Sequence, residues 1–166
     1  MRLSTRGRYA VMAMVELAAR DQADAPDAPP AARRQVSLAE IAQAQHLSLA
    51  YLEQLFGPLR RAGLVASARG PGGGYRLARS AGSIAIAEIV AAVDEPLHAT
   101  RCDEGSPGCL AGERCLTHDL WAELGDQIRL FLQAVTLADV IAGRVVGRAA
   151  APRRTGPQDP PADAAP

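Results

Sequence analysis

Apolar residues recur along most of this chain at the three- and four-residue spacing of a single helix face. Tyr9, Ala10, Ala13, Met14, Leu17 and Ala18 form the first such stripe and predict a helix over residues 5–20, with Ser4 as its N-cap. Residues 21–35 mix several prolines with alternating charges and show no periodicity, so they read as a solvated loop. Ser37-Leu38-Ala39-Glu40 places a hydroxyl three residues ahead of a carboxylate, a capping-box pattern that opens a short helix with Leu38, Ile41 and Ala42 inward. After a turn at residues 45–47, Ser48 caps a second helix. This one carries Leu49, Leu52, Leu55, Phe56 and Leu59 at core spacing and stops at Gly63, a residue suited to the left-handed position past a helix end. Two helices joined by a tight turn make a helix-turn-helix candidate.

Residues 64–68 and 75–78 then predict two short strands around Arg69-Gly70-Pro71-Gly72-Gly73-Gly74. A β-hairpin in that place is the wing of a winged helix-turn-helix, and here Arg69 and Arg76 flank it. A phosphate cradle is a poor alternative, because no Lys-Ser/Thr follows the glycines and the next residues are strand-like. Residues 84–93 predict a fourth helix with Ile86, Ile89, Val90 and Val93 inward, ending before Pro96. From Thr117 a long helix presents Leu120, Trp121, Leu124, Ile128, Phe131, Leu132 and Val135 on one face, and a short helical turn with Leu137, Val140 and Ile141 follows. Residues 149–166 are dominated by Ala, Pro, Asp and Gly, a composition expected to be disordered.

The fold expected is mainly α. A winged helix-turn-helix region spans residues 1–98, a metal-binding loop 99–117, a pairing helix with its short follower 118–145, and a tail 146–166. The long helix lies at the edge of a small domain, so its apolar stripe needs another surface. Its own domain is one option. Antiparallel pairing with the same helix of a second chain, giving a homodimer, is the preferred one, since it suits the two-fold symmetry of DNA sites.

Charge adds a direction to this picture. The net charge is zero, yet residues 1–80 hold eleven arginines against six acidic residues, while residues 81–166 hold seven against twelve. A basic front half points to a polyanion partner. All 18 basic residues are Arg, which suits bidentate phosphate or guanine contacts but is more simply a matter of genome composition. No apolar run is long enough to span a membrane and no signal-peptide pattern opens the chain, so a cytoplasmic protein is expected.

The candidate chemistry sits in one place. Cys102, Cys109 and Cys115 fall within fourteen glycine-rich residues, the rest of the chain has no cysteine, and His118 follows at once: Cys-x6-Cys-x5-Cys-x2-His. An odd number of cysteines argues against a disulfide framework, and their clustering argues for a metal. Thiolate and imidazole ligands suit zinc or an iron-sulfur cluster. Structural zinc usually uses paired short knuckles, which neither gap provides, so a cluster of two or more irons fits better. Thr117 as N-cap would put His118 in the first helical turn, where an anionic cluster and a helix N-terminus attract each other. Imidazole ligation also raises cluster potential and adds a protonation step near neutral pH. His46 and His98 have no such company.

Several stretches together closely resemble the IscR family of iron-sulfur cluster regulators. They are Met1-Arg2-Leu3 with Gly7-Arg8-Tyr9-Ala10, Leu49-Ala50-Tyr51-Leu52-Glu53-Gln54-Leu55-Phe56, Arg69-Gly70-Pro71-Gly72-Gly73-Gly74-Tyr75, Ala92-Val93-Asp94-Glu95 and Cys115-Leu116-Thr117-His118. The likeness covers roughly residues 1–145. It implies a dimeric winged-helix transcription factor that carries a [2Fe-2S] cluster on Cys102, Cys109, Cys115 and His118. The loaded form would repress the operon for iron-sulfur cluster assembly and the cluster-free form would bind a second class of promoter. The resemblance also implies Glu53 and Gln54 as base-reading residues and Arg69 as a minor-groove contact, with Tyr51 and Arg60 available to touch phosphate. Tyr51 and Arg60 read equally well as a helix-packing residue and a solvated one. Implied partners are double-stranded promoter DNA, a second copy of the chain and iron-sulfur cluster donor proteins.

This chain departs from the family in three places: one extra residue between the first two cysteines, Ala50 where the family has a Ser that contacts DNA, and an extended Pro-rich loop. Two other readings stay open. One is a nitric oxide or iron-responsive relative with a [4Fe-4S] cluster in which His118 need not be a ligand; the other is a zinc-stabilised interaction module. An enzyme is the least expected class, because no carboxylate pair, nucleophile-base pair or cofactor loop is visible.

Overall fold

In a computed structural model the residues described are 5–24, 35–68, 70, 72–93 and 113–145, and they fold around one aliphatic core. The first helix, α1 (Thr5–Asp24), is its axle: it packs against all of the elements α2 (Leu38–Gln45), α3 (Leu49–Arg61), β2 (Gly74–Leu77), α4 (Ile86–Ala92) and α6 (Leu137–Ile141). Its predicted stripe explains this, since Ala10, Ala13, Met14, Leu17 and Ala18 are fully buried. The helix runs four residues beyond the predicted end, and Asp21, expected in the loop, is helical and 1 % exposed. Most of the loop expected after it, and Ser4 before it, lie outside the described residues.

The capping box forms as the sequence predicts. The Glu40 amide donates to Ser37 Oγ at 3.2 Å, while the Ser37 amide donates to Glu40 Oε2 at 2.8 Å. The α2–α3 turn is made by His46, which takes a left-handed conformation (φ 52°), where a short polar side chain or glycine is the commoner choice. Ser48 stands at the N-cap of α3, but its hydroxyl makes no capping bond. Leu52, Leu55, Phe56 and Leu59 are buried as expected. Leu49 is not: it belongs to the first turn, one turn outward from the core row, and is 44 % exposed. Gly63 adopts the left-handed conformation foreseen for it (φ 70°).

The wing consists of β1 (Val65–Ala68) and β2, antiparallel, with Val65 opposite Leu77 and Ala68 opposite Gly74. A third piece was not anticipated. Val36 pairs with Tyr75, each amide donating to the other carbonyl at 2.8 Å, so the wing is anchored to the chain entering α2. Gly74 permits that approach: a Cβ there would lie 2.5 Å from the Val36 carbonyl oxygen.

The predicted helix over residues 84–93 is shorter at its start. A 3-10 turn occupies Ala81–Ser83, and Ile84 and Ala85 are extended before α4 begins. The extension has a use, because the Ile86 amide donates to Val135 O at 2.9 Å and the Leu137 amide to Ile84 O at 3.0 Å, with Ala85 bridging Thr136. This clasp fastens the end of α5 (His118–Ala134) to the start of α4 and buries Val135 and Leu137. Thr136 and Asp139 then cap α6 reciprocally.

No residue of α5 is buried. Ile128 and Leu132 are half-buried on the domain side, whereas Leu120, Trp121, Leu124, Leu130 and Phe131 are 37–62 % exposed. Within one chain, the stripe read from the sequence therefore remains largely uncovered.

Candidate nucleic-acid interface and metal centre

The core row of α3 fixes what its other side offers. With 3.6 residues per turn, Leu49, Ala50, Glu53, Gln54, Gly57, Arg60 and Arg61 fall within an arc of roughly 140° opposite the buried row. All except half-buried Gly57 are exposed. The face runs from an apolar pair at the N-terminal turn, through a carboxylate and an amide, to two guanidinium groups. Apolar contact, an acceptor, an amide that both donates and accepts, and positive charge match what a major groove and its phosphate rim offer. The Glu53 side chain has no ion-pair or hydrogen-bond partner among the described residues. Arg60 reaches across to the wing, with Nη1 3.5 Å from Ser67 Oγ. Arg61 belongs to the same face, although the resemblance implies a phosphate contact only for its neighbour Arg60.

Tyr51 is half-buried and meets the edge of Tyr9, with ring centroids 6.0 Å apart and planes at 87°. Arg8 stands 5.3 Å from the Tyr9 ring centroid. Tyr51 and Tyr9, with Thr5, His46, Leu47 and Ser48, line a cleft of about 320 Å³ beside the helix-turn-helix. The helix-packing reading of Tyr51 is the one seen: its ring packs against the core, and its remaining edge lines a surface cleft. Arg69 lies outside the described residues. Arg76 is half-buried on the wing, and its Nε has no hydrogen-bond partner among the described residues.

The helix-turn-helix is held to α1 by polar contacts as well as by its core. Gln45 Nε2 donates to Glu16 Oε2 at 2.8 Å, Arg20 Nε donates to Glu16 Oε1 at 2.6 Å, and Arg20 Nη1 lies 3.9 Å from Glu40 Oε1. Burial pushes the Glu16 carboxyl up, but the hydrogen bonds from Arg20 and Gln45 and the charge of Arg20 outweigh it and hold the group below the ordinary glutamate range. On the wing's far side, the Arg79 guanidinium donates to Glu88 at 2.6 Å and likewise holds its carboxyl low.

Of the four predicted metal ligands, two are described, and they come together. Cys115 and His118 are both half-buried, and the His118 amide donates to the Cys115 carbonyl at 3.0 Å, closing one turn at the start of α5. Thr117 occupies the N-cap without capping; its hydroxyl lies 3.4 Å from Cys115 Sγ instead. Cys102 and Cys109 lie outside the described residues, and among those described no three His, Cys, Asp or Glu side chains converge. A soft thiol and an imidazole presented from one turn, both accessible, fit ligation of iron or an iron-sulfur group. No helix among the described residues is long and apolar enough to cross a membrane.

Comparison with known proteins places this geometry. Residues 3–143 match the Rrf2 family, described as iron-dependent transcriptional regulators. The HTH-type transcriptional regulator IscR of Citrobacter koseri is 49 % identical over 141 residues, 85 % of this chain and 80 % of that protein. Its counterpart in Yersinia enterocolitica is 50 % identical over 85 % of this chain and 79 % of its own length. Among solved structures, CymR, the global cysteine regulator of B. subtilis, superposes with a TM-score of 0.69 at 33 % identity, covering 86 % of this chain and 98 % of that one. T. potens IscR gives 0.66 at 34 % identity, covering 86 % and 88 %. With its hairpin wing, the exposed face of α3 and a match over residues 3–143, this chain belongs to the Rrf2 family of iron-dependent regulators, a DNA-binding transcription factor and not an enzyme.

Proposed function

We propose that this chain is a homodimeric, cytoplasmic regulator whose choice of promoter depends on a [2Fe-2S] cluster held by Cys102, Cys109, Cys115 and His118. The observation that carries the reading is the turn joining Cys115 to His118 at the head of α5, on a helix whose far end is clasped to the DNA-reading domain. Such a cluster, when bound, supplies a one-electron redox centre that is sensitive to iron supply and to oxidants. Iron-sulfur cluster donor proteins are then required partners.

The chain's own residues account for the rest. The exposed stripe of Leu120, Trp121, Leu124 and Phe131 on α5 is an apolar surface of the kind that a second copy covers in a two-fold dimer. The two reading helices would then meet successive half-sites. From α5 the clasp at Val135 and Leu137 leads into α4, which packs against α1 and α3, so ligation at His118 and the orientation of α3 share one contiguous set of packed elements.

Glu53 is where specificity is decided. A carboxylate pressed into a groove is favourable only where a cytosine amino group donates to it; elsewhere it is left unpaired and repels phosphate. A shift in the pose of α3 between loaded and cluster-free forms changes whether that penalty applies. The loaded form then represses the cluster-assembly operon and the cluster-free form retains a second promoter class.

Operator binding by the Cys115→Ala, His118→Ala and Glu53→Ala variants tests the reading. The first two should lose iron and sulfide together with discrimination between promoter classes, and the third should lose discrimination while keeping its iron. Equal discrimination in all three would refute the assignment.

A further inference from the structure

Leu49 has the spacing of a core residue but not the burial of one. An isolated exposed leucine is unremarkable on a protein surface, but this one lies in the first turn of the reading helix, the part that reaches base edges when such a helix enters a major groove. It is 44 % exposed. Ala50, also exposed, sits beside it, and Glu53 follows one turn on along the same arc. No other large apolar side chain is exposed on α3. The reading helix therefore begins with an apolar patch directly ahead of the carboxylate.

The major groove contains a single apolar group, the C5-methyl of thymine. We propose that Leu49 and Ala50 form a contact for a thymine methyl, so that this chain reads a thymine close to the cytosine recognised by Glu53. The inference rests on the assignment of α3 as the DNA-reading helix. Four residues of helix rise about 6 Å, close to two base steps at about 3.4 Å each, so the thymine falls within two steps of that cytosine. Where a serine in place of Ala50 would offer a hydroxyl to donate or accept, this chain offers a second methyl, trading a hydrogen bond for apolar contact.

The full chain, purified anaerobically, would be used to select its best duplex from a random double-stranded pool. Each thymine of that duplex is then replaced in turn by deoxyuridine, which removes the methyl and leaves every hydrogen-bonding group. Affinities are measured by fluorescence anisotropy at one fixed salt concentration. The base at which Glu53→Ala relaxes selectivity locates the carboxylate's cytosine. One thymine within two steps of it should show a loss of about fourfold on replacement, the value of one buried methyl group. That loss should vanish in Leu49→Ala and persist in Leu49→Met, both checked for a parental helical spectrum.

Uridine substitutions that are neutral at every position would overturn the proposal. So would an equal loss in Leu49→Ala, which would place the methyl effect in DNA shape. Failure to select any duplex would overturn the reading of α3 itself, an outcome distinct from sequence-specific binding that ignores the methyl.

Discussion

Replacing Gly74 by alanine should destabilise the protein by about 2–4 kcal/mol, because of where one methyl group would have to go. The new Cβ would lie 2.5 Å from the Val36 carbonyl oxygen, 2.7 Å from its carbon and 3.1 Å from the Ser37 nitrogen. All three are backbone atoms, which cannot rotate away. Ordinary non-bonded separation is about 3.5 Å, so the segment entering α2 must retreat by about 1 Å. The two Val36–Tyr75 bonds are 2.8 Å long, and a retreat of about 1 Å takes them beyond hydrogen-bonding range. Each bond is worth about 1 kcal/mol net, and more if its groups remain buried; Val36 is fully buried. Alanine's smaller unfolded-state entropy returns about 0.4–1 kcal/mol, which does not reverse the sign. Thermal and urea unfolding followed by circular dichroism would show a melting point roughly 4–16 °C lower at an unchanged m-value. Gly82→Ala, whose Cβ meets only Ala138 Cβ at 4.0 Å, serves as the control and should stay within about 0.5 kcal/mol. A Gly74→Ala protein that melts with its parent would refute the close-approach argument.

Other substitutions probe independent parts of the account. Glu16→Gln should cost on the order of 1 kcal/mol at neutral pH. The Glu16 carboxyl is held low in the folded protein, so its contribution is fully present above the ordinary glutamate range and fades as the pH falls through that range and below it. Urea midpoints of parent and variant should therefore converge in acid, and a gap that widens in acid would count against the Arg20–Glu16–Gln45 network. Leu124→Glu with Phe131→Glu places two charges on the exposed stripe of α5, and sedimentation should then report the 17.4 kDa of one chain with a parental circular dichroism spectrum. A dimer that survives both charges would remove α5 from the interface.

The sequence was most legible where a local rule decides the structure. The Ser37–Glu40 box, the left-handed Gly63, the buried rows of α1, α3 and α4 and the two-stranded wing all follow from periodicity or from turn and cap chemistry, and all are present. What escaped depends on segments distant in sequence. The Val36–Tyr75 bridge and the clasp of Ile84–Ile86 to Val135–Leu137 turn residues with helical or loop patterns into extended chain, because a partner some forty to fifty positions away satisfies their amides. Leu49 is exposed despite its core spacing for a related reason: spacing alone cannot tell the last residue of a core row from the first one clear of it. At the candidate site, Cys115 and His118 close one backbone turn at the start of α5, whereas the Thr117 hydroxyl lies by the thiol and accepts no capping amide, a choice between two nearby partners that the sequence does not encode.

The most direct test of cluster-dependent promoter choice is to measure operator affinities of the anaerobically purified protein before and after its cluster is removed, with iron, sulfide and visible absorption recorded on the same samples. The account predicts about two irons and two sulfides per chain with thiolate-to-iron absorption. It also predicts a large loss of affinity on cluster removal at one promoter class and little change at the other. Colourless protein holding zinc, about four irons per chain, or identical affinities at every operator with and without the cluster would contradict it.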